Sequence, residues 1–298
     1  MKRKCEKLPG AYYFESASLP LGVRRIEGAF VNHEHDYTGI PHRHDFAELV
    51  IVRDGRGEQV INGSSYPVGK GDAFVIQDNA DHYFPDYREL KLVNVIYSPA
   101  LLRSMHGLLR RIPGYNMIFI MTPGLRRVRT YRNHFRLSPV QLMEALEIIA
   151  RLERELQEKK TGFEASAAAL FLELTIRISR SFREEMNGKD TVVRIGRLLS
   201  LLEENYRKDW TLGQMSREAA MSPNNFLRVF KQATDDSPLH YLSRVRLKNA
   251  KRLLLNSDLS IGEIADGCGF RDSNYFSKKF TAEFKLSPRK YRGGRKQF

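Results

Sequence analysis

Cysteine is nearly absent from this chain. Cys5 and Cys268 are the only two in 298 residues, and they lie far apart with no ligand-like spacing. Their scarcity excludes a disulfide framework and a cysteine-rich zinc site. Long hydrophobic runs are missing as well. Nowhere do 18 uncharged apolar residues follow one another, and no apolar stretch succeeds the basic start Met1-Lys2-Arg3-Lys4. Neither a membrane span nor a secretory leader is expected, which points to the cytoplasm. Acidic residues are the scarcer charge, 35 Asp and Glu against 49 Lys and Arg, for a formal net charge of +14. The shortage is uneven. Residues 191–298 hold 21 basic against 11 acidic side chains, while residues 1–190 hold 28 against 24. A basic C-terminal third attracts a polyanion through phosphate contact and counterion release.

What is present is a repeat. Thr211 to Met221 aligns with Ser260 to Phe270 at an offset of 49, and after one inserted residue Phe226, Phe230, Ser237, Pro238 and Tyr241 align with Phe276, Phe280, Ser287, Pro288 and Tyr291. Each copy reads as a short helix that turns sharply into a second, amphipathic one. Small residues four apart, Ser216 and Ala220 in one copy and Ala265 and Gly269 in the other, allow the two helices to cross closely. That is the steric requirement of a helix-turn-helix, whose second helix enters the DNA major groove. Between the copies, Pro238 to Leu255 reads as one helix that would hold two reading heads at a fixed separation. A further helix is expected from Val192 to Tyr206.

The N-terminal half has another texture. From about Gly22 to Tyr97, short β-rich runs (Phe46 to Val52, Glu58 to Ile61, Ser65 to Val68, Ala73 to Ile76, Leu90 to Ile96) alternate with turn signals such as Asn62-Gly63 and Lys70-Gly71-Asp72. Strands at this spacing predict a small antiparallel barrel or jelly roll. Pro99 to Arg111 reads as a helix and Asn116 to Met121 as another strand. From Pro139 the period changes: Leu142, Leu146, Ile149, Leu152 and Leu156 recur at helical spacing, with Ser138 as N-cap and Pro139 at the first helical position. Thr161-Gly162 breaks that helix, and Phe163 to Glu185 forms a second through Leu170, Phe171, Leu174 and Ile178. So short a link makes the pair antiparallel, covering the barrel or seaming a homodimer. Four segments result: an arm over residues 1–20, a sensor domain over 21–137, a helix pair over 138–186, and a helical domain over 191–298 behind the linker Asn187-Gly188-Lys189-Asp190.

In the second helix of the first repeat, Ser222 is the N-cap and Pro223 the first helical residue. Phe226 and Phe230 turn inward, which leaves Asn224, Asn225, Leu227, Arg228 and Lys231 for DNA. In the second repeat Phe276 and Phe280 leave Ser273, Asn274, Ser277 and Lys278. Asn suits adenine, and Arg or Lys suits guanine or phosphate. The run from Ser222 through Arg228-Val229-Phe230-Lys231, then Tyr241, Arg246 and Ala250, then Ile261-Gly262-Glu263-Ile264-Ala265, Gly269-Phe270, Tyr275-Phe276, Phe280 and Ser287-Pro288-Arg289-Lys290-Tyr291-Arg292, resembles the DNA-binding domain of the AraC/XylS family of bacterial transcription regulators. The resemblance covers about 100 residues. It implies a seven-helix domain that binds double-stranded promoter DNA. One departure stands out, since Ser216 and Ala220 occupy positions where the family usually carries Ala and Gly.

In the N-terminal half His42-Arg43-His44-Asp45-Phe46-Ala47-Glu48 is the notable spelling. On one strand His42, His44, Phe46 and Glu48 would share a face, with two imidazoles and a carboxylate projecting together. His82 follows a turn and one more strand. The run is similar to the cupin pattern, His-x-His then Glu, with six residues separating Glu48 from Gly55 and a later His, a set that holds one divalent metal in cupins. Sensor domains of the regulator family resemble cupins too, and many hold a sugar by hydrogen bonds without metal. The fold class implied is α+β: a cupin-like β-barrel with two following helices, then an all-α domain with two helix-turn-helix motifs. The text from His42 through Gly71 and Asn94-Val95-Ile96-Tyr97 is most similar to the rhamnose-type sugar regulators of that family.

The leading expectation is thus an activator of carbohydrate-utilisation genes, not an enzyme, and not membrane-bound. Its partners would be promoter DNA, a sugar-like effector, a second copy and RNA polymerase. The arm, with Tyr12, Tyr13 and Phe14, would close over the pocket or hang free. Two other classes stay open: a cupin metalloenzyme fused to a DNA-binding tail, with metal as Lewis acid at the same four residues, and a constitutive DNA-binding protein whose barrel only dimerises.

Overall fold

The computed structural model describes residues 6–14, 16, 18–27, 39–86, 89–121, 135–185 and 191–293. The chain divides into two units, Met1–Asn187 and Gly188–Phe298. The linker at residues 187–190 lies outside the described residues, as does Cys5.

Among the described residues of the first unit ten strands form two sheets: β1 (Glu6–Leu8), β2 (Leu21–Glu27), β3 (His42–His44), β4 (Ala47–Asp54), β5 (Arg56–Ile61), β6 (Ser64–Gly69), β7 (Asp72–Ile76), β8 (His82–Asp86), β9 (Lys91–Tyr97) and β10 (Phe135–Arg136). One sheet has the order β1-β3-β8-β5-β6 and the other β10-β7-β4-β9-β2. All the pairings are antiparallel except that of β1 with β3. Val50, Val52, Ile61, Phe74, Phe84 and Leu92 meet between the sheets in one apolar cluster. The central strand β4 is buried along Ala47 to Val52, because its other face is covered as well. On that outer side the rings of Tyr97 and Phe171 lie 5.0 Å apart.

Four short helical pieces follow: α1 (Pro99–Ser104), α2 (His106–Leu109), α3 (Pro113–Tyr115) and a π-helical turn at Asn116–Ile120. Two expectations change here. Pro99 to Arg111 is two helices, not one, interrupted at Met105. Asn116 to Met121 is not a strand. Its residues 116–119 are all buried, and a short run buried all round carries no periodicity to separate strand from helix. Pro113 instead starts a helical turn whose Gly114 packs on α5 (Phe163–Glu185), where a Cβ would stand 1.9 Å from the Ser179 carbonyl oxygen.

Before α5 comes α4 (Pro139–Glu158), opened by a capping box in which Ser138 accepts from the Gln141 amide and the Gln141 side chain accepts from the Ser138 amide. The pair is antiparallel, with Arg177 bridging Glu144 and Arg151 bridging Glu173. The apolar stripe of α4 is Leu142, Ala145, Ile148, Ile149, Leu152 and Leu156, and Leu146, expected inward, is half-buried at its edge. Arg25 of β2 bridges Glu153 at 2.8 Å and ties the helix to the barrel wall. The described arm residues belong to this unit. Strand β1 runs beside β3, the Gly10 amide donates to Asp45 at 2.7 Å, and the rings of Tyr13 and Phe14 lie 5.2 and 5.9 Å from that of Phe46.

The regular elements among the described residues of the second unit are all helices: α6 (Thr191–Glu204), α7 (Leu212–Glu218), α8 (Pro223–Thr234), α9 (Pro238–Asn256), α10 (Ile261–Gly267), α11 (Ser273–Phe284) and α12 (Pro288–Gly293). Helix α6 stops at Glu204, two residues before its expected end at Tyr206. No helix among the described residues is long and apolar enough to cross a membrane.

Candidate functional site

The helical unit builds the same object twice. Thr211 and Ser260 open α7 and α10 with capping boxes to Gln214 and Glu263. After each of these helices the chain turns through the left-handed region, at Ala220 (φ 48°) and Gly269 (φ 83°). The second helix then buries two phenylalanines against a tyrosine. Phe226, Phe230 and Tyr241 stand 5.5 and 5.7 Å apart, and Phe276, Phe280 and Tyr291 stand 5.6 and 5.5 Å apart. Four of these rings, the phenylalanines, are wholly buried. With the core face so occupied, Asn224, Asn225, Leu227, Arg228 and Lys231 are exposed on α8, and Ser273, Asn274 and Lys278 on α11, whereas Ser277 is half-buried.

Some contacts on these faces had no signal in the pattern. Arg228 donates to Asn225 Oδ1 at 2.7 Å and to Gln232 Oε1 at 3.1 Å, so its guanidinium is held from both sides along the helix. Tyr275 is 52 % exposed beside Asn274, with the Lys279 ammonium 5.5 Å from its ring centre. The expected Ser222 cap forms no side-chain hydrogen bond, while α11 is capped by Asp272, whose carboxylate accepts from the Tyr275 amide. Helix α9, 19 residues and so about 28 Å long, joins the two motifs. Arg246 anchors it by donating to the Tyr206 and Lys208 carbonyls at 2.8 and 2.9 Å.

In the barrel, His42, His44 and His82 are buried, with donor atoms all within 4.8 Å of one another. The route to that cluster differs from the expected one. A single strand from His42 to Glu48 does not exist, because the chain bends at Asp45 and Phe46 and changes sheet. His42 and His44 sit on β3, His82 lies opposite His42 on β8, and Glu48 faces them from β4 of the other sheet. Glu48 Oε1 is 3.5 Å from His44 Nε2, and its Oε2 is 3.8 Å from His82 Nε2.

Backbone carbonyls orient every imidazole. Nδ1 of His42, His44 and His82 meets the carbonyl oxygen of Ile40, Phe46 and Ala80 at 2.8, 2.6 and 3.0 Å. A carbonyl can only accept, so each Nδ1 carries the proton, which leaves Nε2 as the nitrogen able to ligate when the ring is neutral. Burial pushes the His44 pKa down to about 3, which keeps that ring neutral. Glu48 Oε1 thus faces the lone pair of the neutral His44 ring, a pairing of acceptors that a cation between them relieves. Three imidazole nitrogens, a carboxylate and carbonyl-locked tautomers match the donor set and outer shell that transition metals use. The residues fit the group the cupin pattern implies. Asn94 of β9 is also buried, and donates from Nδ2 to Glu48 Oε2 at 3.3 Å. The run Asn94-Val95-Ile96-Tyr97 contained it without giving it a role, since a lone Asn in a strand carries no spacing.

These two halves have known counterparts. A family model described as an AraC-like ligand binding domain matches residues 25–175, and one described as a helix-turn-helix domain matches residues 215–294. HTH-type transcriptional activator RhaS of Klebsiella pneumoniae (strain 342) is 34% identical over 256 residues, 85% of this chain and 87% of that protein. The chain belongs to the AraC family of transcription regulators. A RhaS from Escherichia coli O1:K1 / APEC is 32% identical over 86% of this chain and 88% of its own length. Among solved structures, the DNA-binding domain of AdpA in complex with a target DNA is 29% identical over 35% of this chain and 98% of that one, with a TM-score of 0.34. As an AraC-family member the chain is a sequence-specific DNA-binding regulator with a ligand-binding barrel, and it is not an enzyme. The α+β class, with a β-rich sensor followed by a helical DNA-binding region, is as expected.

Proposed function

We propose that this regulator activates carbohydrate-utilisation genes from the cytoplasm as a homodimer that engages RNA polymerase, and that a small polyol bound at the mouth of the barrel controls it. The carrying observation is the convergence of His42, His44, His82 and Glu48 from both sheets above an interior filled by apolar side chains. Val50, Phe74, Ile76 and Leu92 belong to the apolar cluster of that interior. His42, His44, His82 and Glu48 would hold a divalent zinc, iron, manganese or nickel ion, which would supply open coordination positions for hydroxyl groups. The likeness to RhaS activators supports activation and a sugar effector. For the dimer, α4 turns Val140 and Met143 outward at 59 and 56 % exposure, an apolar stripe suited to a second copy. The cytoplasm is where a bacterial promoter lies.

An effector can act only through a difference in its affinity for two arrangements of the protein. The test replaces His44 and Glu48 together by Ala, then measures metal content and promoter affinity with and without a panel of sugars. Loss of stoichiometric metal and of the sugar response, with DNA binding retained by the helical unit, is the expected result. A double variant that responds like wild type would place the effector elsewhere. Wild type that is metal-free yet responds would make the cluster a direct hydrogen-bonding site.

A further inference from the structure

The buried polar group next to the histidine cluster is Asn94. Its side chain enters the barrel by register: Glu48 of β4 pairs with Ile96 of β9, and Val50 with Asn94, so Asn94 is the diagonal neighbour of Glu48 on one face. Only 6 % of the residue is exposed. Its amide is half used. Nδ2 donates to Glu48 Oε2 at 3.3 Å, while no donor among the described residues reaches Oδ1. A buried acceptor left in that state destabilises a fold. An apolar residue of the same shape would remove that cost, so the polar one calls for a donor brought from outside.

We infer that Asn94 is a recognition residue for a neutral polyhydroxylated ligand, accepting a hydrogen bond from a ligand hydroxyl at Oδ1 while Nδ2 holds the Glu48 carboxylate in place. This rests on the reading of the histidine cluster as the effector site. The chemistry narrows the ligand class. At this contact Asn94 Oδ1 can only accept, which suits a ligand hydroxyl and disfavours a ligand carboxylate there. Neutral sugars are accepted on this basis, and their uronate counterparts are refused.

The experiment uses the full-length protein and a panel of neutral aldoses and deoxyaldoses with the matching uronates, read by thermal shift and calorimetry. Wild type is expected to be stabilised by a neutral sugar and not by its uronate. Asn94→Leu, close to Asn in shape, is expected to bind that sugar about tenfold more weakly or worse. Without sugar the loss of the orphaned acceptor is set against the loss of the Nδ2 donor to Glu48, so affinity is the deciding readout. A purely structural asparagine predicts unchanged affinity in the folded variant. Should Asn94→Leu fail to fold, Asn94→Ser carries the same affinity test. Retention of wild-type affinity in the folded variant overturns the role of Asn94 and leaves the effector reading of the cluster standing. If no neutral sugar stabilises wild type, or uronates do so better, the ligand class is wrong and the polyol reading of the cluster falls with it.

Discussion

The two helix-turn-helix motifs share a core and differ at the turn and on the reading face. Both stack two phenylalanines on a tyrosine at nearly the same spacings. At the turn, the first motif places Ala220 in the left-handed region and the second places Gly269. An L residue there meets its own carbonyl and loses about 1 to 2 kcal/mol, a cost glycine escapes. Surroundings explain the asymmetry. A Cβ on Gly269 would stand 2.8 Å from the Arg207 carbonyl oxygen, so the second turn has no room for one. The first turn accommodates its methyl group, and the Ala220 carbonyl accepts from Arg194 at 2.7 Å. On the reading faces, Arg228 is held by two neighbours, whereas α11 shows Ser273, Asn274 and Lys278. A pre-oriented fork favours discrimination of a base, and a mobile ammonium favours a phosphate. Equivalent cores therefore do not imply equivalent reading.

The shared core offers the largest test. Phe230→Ala and Phe280→Ala should each destabilise the helical unit by about 3 to 5 kcal/mol through the cavity left behind, measured by denaturant unfolding. Equal losses uphold the structural equivalence, and a small loss at either site breaks it. Next in size is Gly269→Ala, expected to cost about 2 to 4 kcal/mol from left-handed strain plus overpacking against Arg207. On the reading faces, Arg228→Ala should weaken specific DNA binding by about 1 to 3 kcal/mol and relax the preference at one base pair. Lys278→Ala should instead lower affinity alike on specific and random DNA and flatten the salt dependence. Affinity titrations on both DNAs decide this, and a uniform loss for Arg228→Ala would reduce it to a phosphate contact. The smallest effect is a gain: Ala220→Gly should raise stability by about 1 kcal/mol, seen as a higher melting temperature. No change would mean that the first turn carries no strain to relieve.

Legibility differed between the two units for a physical reason. Phe226 and Phe230, or Phe276 and Phe280, lie four apart, and helical geometry puts such pairs on one face whatever the rest of the chain does. The exposed residues of α8 and α11 followed by subtraction, and only Ser277 came out half-buried. In the barrel, local rules reached less far. The parity that placed His42, His44 and Glu48 together assumed an unbroken strand, and the bend at Asp45 and Phe46 voids it, yet the same residues meet because the two sheets face each other. The buried run at Asn116 had no period to read. Asn94 entered only as part of the run Asn94-Val95-Ile96-Tyr97 and without a role, since its partner Glu48 lies 46 residues away.

The sequence by itself determined the doubled motif, the basic bias of the C-terminal third, the helix that spaces the two motifs, and the residue types available for DNA. All of these depend on spacings of a few residues, for which backbone geometry is nearly invariant. Tertiary structure alone decided that β3 and β4 contribute to one cluster from opposite sheets, that carbonyls lock three imidazoles with their Nε2 atoms toward it, and that Asn94 holds Glu48. Those facts depend on sheet closure and strand register, which bring together residues 34 to 46 positions apart. No local propensity encodes such distances; the shared burial of an apolar interior does.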